Sequence, residues 1–337
     1  MPRILVTFSC ALAVVTAACS KDRAPAAAPP SAPVSTAPPP SSPRPSRAPV
    51  QIEMKNVRLH ADEGIVLEVR HLRGEMVSRD AGGPPVFDDQ RSYVLRVHTA
   101  EVALDMPSLT NLMNHHIFAY EDAPLRDITV EIDEGQLKLK AKLHKGVTVP
   151  ISMKADVLAT PDGRLQLKTD KVSALSVPAK KLMDLFGLKL DEVVSLKERR
   201  GIEIQDNDVI IAPGQVLPPP EIQGRLSRVA IVNRRLEQTF VSERGTSPAR
   251  LSPPDAASPN YVYFSGSDIR FGKLTMSGAD LQLIDSDPKD AFDFFPAQYK
   301  RQLVAGYSKN TPSGGLKTYM PDYSDLDRVK DLKPRAK

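Results

Sequence analysis

The chain has 337 residues, with 45 Lys and Arg against 41 Asp and Glu, two cysteines and no tryptophan. Arg3, Lys21, Arg23, Arg44 and Arg47 against Asp22 account for the whole net charge of +4, which leaves 40 basic and 40 acidic residues in 51–337. A neutral body offers no basic footprint for nucleic acid. With Cys10 and Cys19 both near the start, no disulfide, thiol nucleophile or thiolate metal site is expected in the rest of the chain.

At the start, Arg3 is followed by an apolar stretch over residues 4–15 and by the small residues Ala17 and Ala18. That is the pattern of a secretory leader, too short to span a bilayer as a helix. Its end, Thr16-Ala17-Ala18-Cys19, resembles the lipobox of bacterial lipoproteins, with Thr16 where the pattern usually has Leu. The resemblance implies removal of residues 1–18, diacylation of the Cys19 thiol and acylation of its new amino group. It also implies attachment to a Gram-negative cell envelope, and the uncharged Ser20 favours the outer membrane, facing the periplasm. Two or three acyl chains, at about 0.8 kcal/mol per buried methylene, anchor a protein stably.

Residues 19–50 form the lipidated cysteine and a tether rich in Ala, Pro and Ser. The tether is too poor in large apolar side chains to fold alone. It reads as a spacer lifting the body off the bilayer.

In the body, the first helical period starts at Pro107, with Leu109, Leu112, Met113, Ile117 and Tyr120 at helical spacing. Proline suits the first turn of a helix. A strand follows over 128–132 and a second over 137–143, joined by the turn Asp133-Glu134-Gly135, so that the hairpin has one oily and one charged face. Val147, Val149, Ile151, Met153, Ala155 and Val157 then share one face of a further strand. Sheets solvated on one face are typically antiparallel, which argues against a parallel α/β enzyme core. A second helix is predicted from Pro178 through Leu182, Met183, Leu185, Phe186 and Leu188. The acidic-turn hairpin near 201–212 parallels that near 127–141, a weak internal repeat.

Residues 241–260, rich in Ser and Pro, read as a linker or loop. Strands resume over 261–323, either extending the main sheet or forming a separate domain, with a helix around 296–305 stopped by Gly306. Residues 324–337 read as a charged tail. The fold class expected is α+β, with strand exceeding helix.

Long one-sided strands, few helices and abundant aliphatic residues behind a lipid anchor resemble the tubular lipid-binding, or TULIP-like, domains. The resemblance covers residues 51–240 and lies in pattern. It implies a strongly curved antiparallel sheet wrapped around two or so amphipathic helices and enclosing an apolar tunnel. By analogy Leu109, Leu112, Met113, Ile117, Leu182, Met183 and Phe186 line that tunnel; the other reading of the same residues is a solid core.

Catalytic patterns are not found. Asp285, Asp287, Asp290 and Asp293 lack the central glycine and terminal glutamate of a calcium loop, and read as capping and turn residues. The adjacent His115 and His116 point apart on a helix, and the remaining histidines fall in no zinc spacing. Ser286-Asp-Pro-Lys289 stands without the companion motifs of serine–lysine enzymes, and 306–310 lacks the last glycine of a nucleophile elbow. No enzymatic activity, cofactor or metal is expected. The expectation is a monomeric envelope lipoprotein, held to the membrane through Cys19, that binds or carries a lipid or other apolar ligand without touching nucleic acid. The alternatives are a non-catalytic structural or assembly adaptor and, third, a hydrolase whose nucleophile is assembled from distant residues.

Overall fold

The computed structural model describes residues 48–174 except 146, 201–243 except 206 and 207, and 250–329. Cys19, the leader, the tether up to residue 47, the helix expected from Pro178 with Leu182, Met183 and Phe186, and residues 330–337 lie outside the described residues, while Val50, read as the tether's end, opens the first strand.

Three long strands open the body: β1 (Val50–Asp62), β2 (Ile65–Ser78) and β3 (Tyr93–Asp105). Helix α1 (Met106–Leu112) follows and runs on as a single π-helical segment, Met113–Ile117. Then come β4 (Leu125–Asp133), β5 (Gln136–Lys145), β6 (Val147–Ala159), β7 (Leu165–Ala174), β8 (Ile202–Gln205) and β9 (Asp208–Ile211). The short helix α2 (Pro213–Val216) leads to β10 (Glu221–Gln223), β11 (Arg225–Val232) and β12 (Arg235–Val241). The C-terminal part holds β13 (Tyr261–Gly266), β14 (Ile269–Phe271), β15 (Leu274–Met276), β16 (Asp280–Asp285) and β17 (Phe292–Phe294). Helix α3 (Tyr299–Ala305), β18 (Tyr307–Asn310) and β19 (Leu316–Met320) follow.

Among the described residues the large sheet runs β11-β12-β3-β2-β1-β13-β16-β19-β18, with β10 beside β3 and β17 beside β1. A second sheet runs β4-β5-β6-β7-β9-β8, and β14 and β15 form a separate hairpin. Strand therefore exceeds helix, as the alternating pattern predicts. The single curled sheet implied by the family resemblance does not form, since none of these sheets closes or curls on itself. The reason lies in strand pairing. Among the described residues the strands of 125–211 pair only with one another, whereas β10 and β12 return to β3 and β13 and β17 return to β1.

The hairpin of β4 and β5 forms where the sequence places it, with Ile132 opposite Leu137 and Asp133 opposite Gln136. Its two-residue turn holds Glu134 at φ 54° and Gly135 at φ 84°, as a turn matched to strand twist requires. Leu137, Leu139, Ala141 and Leu143 are buried on one face, while Lys138, Lys140 and Lys142 pair with Asp133, Glu131 and Asp127 on the other.

The three long strands change face midway. In β2 the buried positions are Ile65, Leu67 and Val69, then Leu72 and Met76. The switch falls at Arg70, which has no partner in β3, and β3 makes the matching switch at His98. Each is a bulge, an extra residue that bends its strand and moves later side chains to the opposite parity. Gly74 sits at a close approach of the two strands, where a Cβ would overlap the Arg96 carbonyl oxygen. In β1 the same switch occurs at Asn56, held at φ 48°.

Helix α1 is capped by Asp105, whose side chain accepts from the Ser108 N–H at 2.8 Å, with Pro107 in the first turn. Its apolar residues face the same core that both sheets share, and its polar ones bond to β2 and β4. Alongside β1, whose Ile52 and Leu59 pair with Phe264 and Phe294, an aromatic cluster forms from Phe87, Phe264, Phe271, Phe294 and Tyr299, with Phe87 and Phe264 edge to face at 5.6 Å.

Candidate functional site

Between the two sheets lies an apolar cavity of about 110 Å³. One water molecule needs on the order of 10–15 Å³ of such space, so this is far larger than a packing defect. The large sheet contributes Leu67, Val69 and Leu72 from β2, Leu95, Val97, Ala100, Val102 and Leu104 from β3, and Leu236, Gln238 and Phe240 from β12. The bulges at Arg70 and His98 allow both halves of β2 and β3 to face it. The small sheet supplies Val130, Leu137, Leu165, Leu167 and Ile211. The segment through α2 to β10 closes another side with Pro213, Gly214, Val216, Leu217 and Ile222. Gly214 permits that closure, because a Cβ there would run into the Ile222 carbonyl.

Leu109, Leu112, Met113 and Ile117, singled out from the sequence, are brought together on this cavity. Leu109, Leu112 and Ile117 are buried and Met113 is partly so. The π-helical segment explains how all four share a face: Phe118 N–H reaches back to the Met113 carbonyl at 2.8 Å, so the last turn is one residue wider and Ile117 swings inward. Leu182, Met183 and Phe186 lie outside the described residues.

Most of the lining comes from strands that sequence reading did not connect with the helix. Gln238 is the informative omission. It is 7 % exposed, and its neighbours on the same face of β12, Leu236 and Phe240, are also buried. Among the described residues it is the one polar side chain in the lining, and its amide makes no hydrogen bond with the protein. The period of two in Leu236-Glu-Gln238-Thr-Phe240 carries the signal that could have found it.

A second cavity of about 60 Å³ adjoins the first and shares Leu59, Leu67, Leu95, Leu217 and Ile222 with it. It extends toward Met54, Phe264, Phe294 and the prolines 218–220. Tyr93 lines it and is 5 % exposed with no hydrogen-bond partner for its phenol, whose acidity burial pushes well below normal. His60, also in this lining, is held by Asp293 at 2.6 Å, and Asp293 in turn accepts from the Ser324 N–H at 3.2 Å.

Away from the cavities, one carboxylate oxygen each from Asp285, Asp290 and Asp322 lie within 4.8 Å of one another. Burial pushes the Asp322 carboxyl up to about 7, with Asp285, Asp290 and Asp293 acting in the same direction and the Asp293 N–H opposing. Burial likewise raises Asp285. Their hydrogen bonds are those of turns and caps: Asp322 accepts from Asp293 N–H at 2.7 Å, and Asp285 from Asp287 N–H at 2.8 Å and Asn260 Nδ2–H at 2.9 Å.

His116 bonds Asp62 at 2.8 Å. The geometry of the two cavities suits enclosure of an apolar group. No helix among the described residues is long and apolar enough to cross a membrane. No protein-family model, curated protein or solved structure matches the chain significantly.

Proposed function

We propose that this chain is a lipid-anchored envelope protein, tethered through Cys19, whose body binds or carries a lipid or other apolar ligand without catalysing a reaction. The observation that carries this reading is the aliphatic cavity of about 110 Å³ between the two sheets, with a second of about 60 Å³ beside it. Protein interiors are close-packed, and so much unfilled apolar space on a shared core suits a guest of variable shape. Met113 on the wall fits the same role, since its unbranched thioether adapts to different neighbours. Anchoring at the outer membrane, facing the periplasm, would place the cavity a tether's length from the bilayer.

The test is native mass spectrometry of the purified protein. Added mass that fragments to phospholipid or fatty acid supports carriage of a lipid. Release of no such species, together with no uptake of an added fluorescent fatty acid, would overturn the reading in favour of an adaptor.

A further inference from the structure

Gln238 is a donor and an acceptor in a chamber whose other lining side chains, among the described residues, are all apolar. Its face of β12 is set by Leu236 and Phe240, both buried and both in the same lining. The strand is not free to turn that face outward, because β12 is paired on both sides, with Gln238 opposite Val102 of β3 and Val229 of β11. The amide is therefore held on the cavity wall, 7 % exposed and without a hydrogen-bond partner among the described residues. Its nitrogen and oxygen stay open to the cavity space, since no fully buried side-chain polar atom among the described residues lacks a partner; an amide on an apolar wall still costs more than a Leu or Met at the same position. Tyr93 repeats the arrangement in the adjoining cavity, 5 % exposed and likewise unpartnered. Neither group is needed to complete a hydrogen bond within the fold.

We infer that the ligand is an acyl-chain amphiphile whose ester, carboxyl or hydroxyl oxygen hydrogen-bonds the Gln238 amide while its chain fills the aliphatic space. This rests on the apolar-ligand reading and narrows it from any hydrocarbon-like guest to one bearing an oxygen along or at the end of its chain. The two cavities share Leu59, Leu67 and Leu95 in their walls, so Tyr93 lies in the cavity next to the one that holds Gln238.

The experiment uses the purified full-length chain and displacement of the fluorescent probe N-phenyl-1-naphthylamine by decane, decanol and methyl decanoate. In Gln238→Met, close in shape but unable to donate, decanol and methyl decanoate should weaken by about tenfold, the factor expected for loss of one buried hydrogen bond. Decane should bind the variant as well as or better than the wild type. The ligand-free variant should also melt higher, which a merely structural role for Gln238 would reverse. Gln238→Leu, checked by thermal denaturation, stands in if the methionine variant does not fold. Equal effects on all three competitors would overturn the assignment of Gln238 while leaving apolar binding intact. Failure of every competitor to displace the probe from the wild type, or of the probe to bind at all, would overturn both.

Discussion

Asn114 and Ile128 exchange two hydrogen bonds, Asn114 Nδ2–H donating to the Ile128 carbonyl at 2.7 Å and the Ile128 N–H donating to Asn114 Oδ1 at 3.0 Å. The primary amide thus takes the place of a neighbouring strand on the free edge of β4. Thr110 extends the substitution by accepting from the Val130 N–H at 3.0 Å. These bonds hold the π-helical segment and α1 beside the small sheet, and so hold Leu112, Met113 and Ile117 on the cavity. An exposed edge would otherwise present its unpaired backbone groups to other chains.

Asn114→Leu should therefore destabilise the protein by about 1–3 kcal/mol, the usual effect of stranding buried or half-buried backbone partners. Chemical denaturation measures this. A loss no larger than that of an exposed helix substitution would show that the amide pairing contributes nothing.

Filling the cavity should separate packing from binding. Ala100 is fully buried on the lining, and in a packed core its replacement by Leu typically costs about 1–3 kcal/mol. With free space before it, Ala100→Leu should leave the melting temperature near the wild-type value and weaken uptake of a fluorescent fatty acid severalfold. Met113→Trp should do the same from the helix side. A large drop in stability with unchanged uptake would place the ligand elsewhere.

The Asp322 carboxyl makes the stability of the fold depend on pH. Its folded value of about 7 lies above the ordinary 3.8, so the folded state holds a proton that the unfolded state has released between those limits. The resulting stabilisation is fully present below about pH 4 and is lost as pH rises through about 7. Asp322→Asn keeps the oxygen that accepts from Asp293 N–H and removes the titration. Relative to wild type, its melting temperature should rise by a few degrees at pH 8, with the difference shrinking toward pH 4. A difference independent of pH would refute this account of Asp322.

Cys19→Ser should release the protein from membranes or block its processing, because a serine hydroxyl cannot form the thioether to diacylglycerol. Membrane fractionation with labelled fatty acid reports the outcome. Undiminished labelling of the variant would exclude Cys19 as the attachment point.

Alternation along the chain determined much of the local structure. The hairpin of β4 and β5 with its turn at Glu134 and Gly135, the burial of Leu137, Leu139 and Leu143, and the Pro107-started helix with Leu109 and Leu112 inward all depend on residues a few positions apart. Periods of two and 3.6 carry that information locally. The bulges at Arg70 and His98 are different, since each is defined only by the register of β2 against β3, and no residue type marks the site in advance. The return of β12 to β3 and of β13 to β1, which produces separate open sheets in place of one curled sheet, is likewise a choice among distant partners with similar faces. Only the tertiary structure decided that the helix, β2, β3 and β12 surround one space and that Gln238 opens into it. A strand pattern states which side chains share a face; which surface that face meets, and whether the two fill the gap between them, depends on pairings made more than a hundred residues apart.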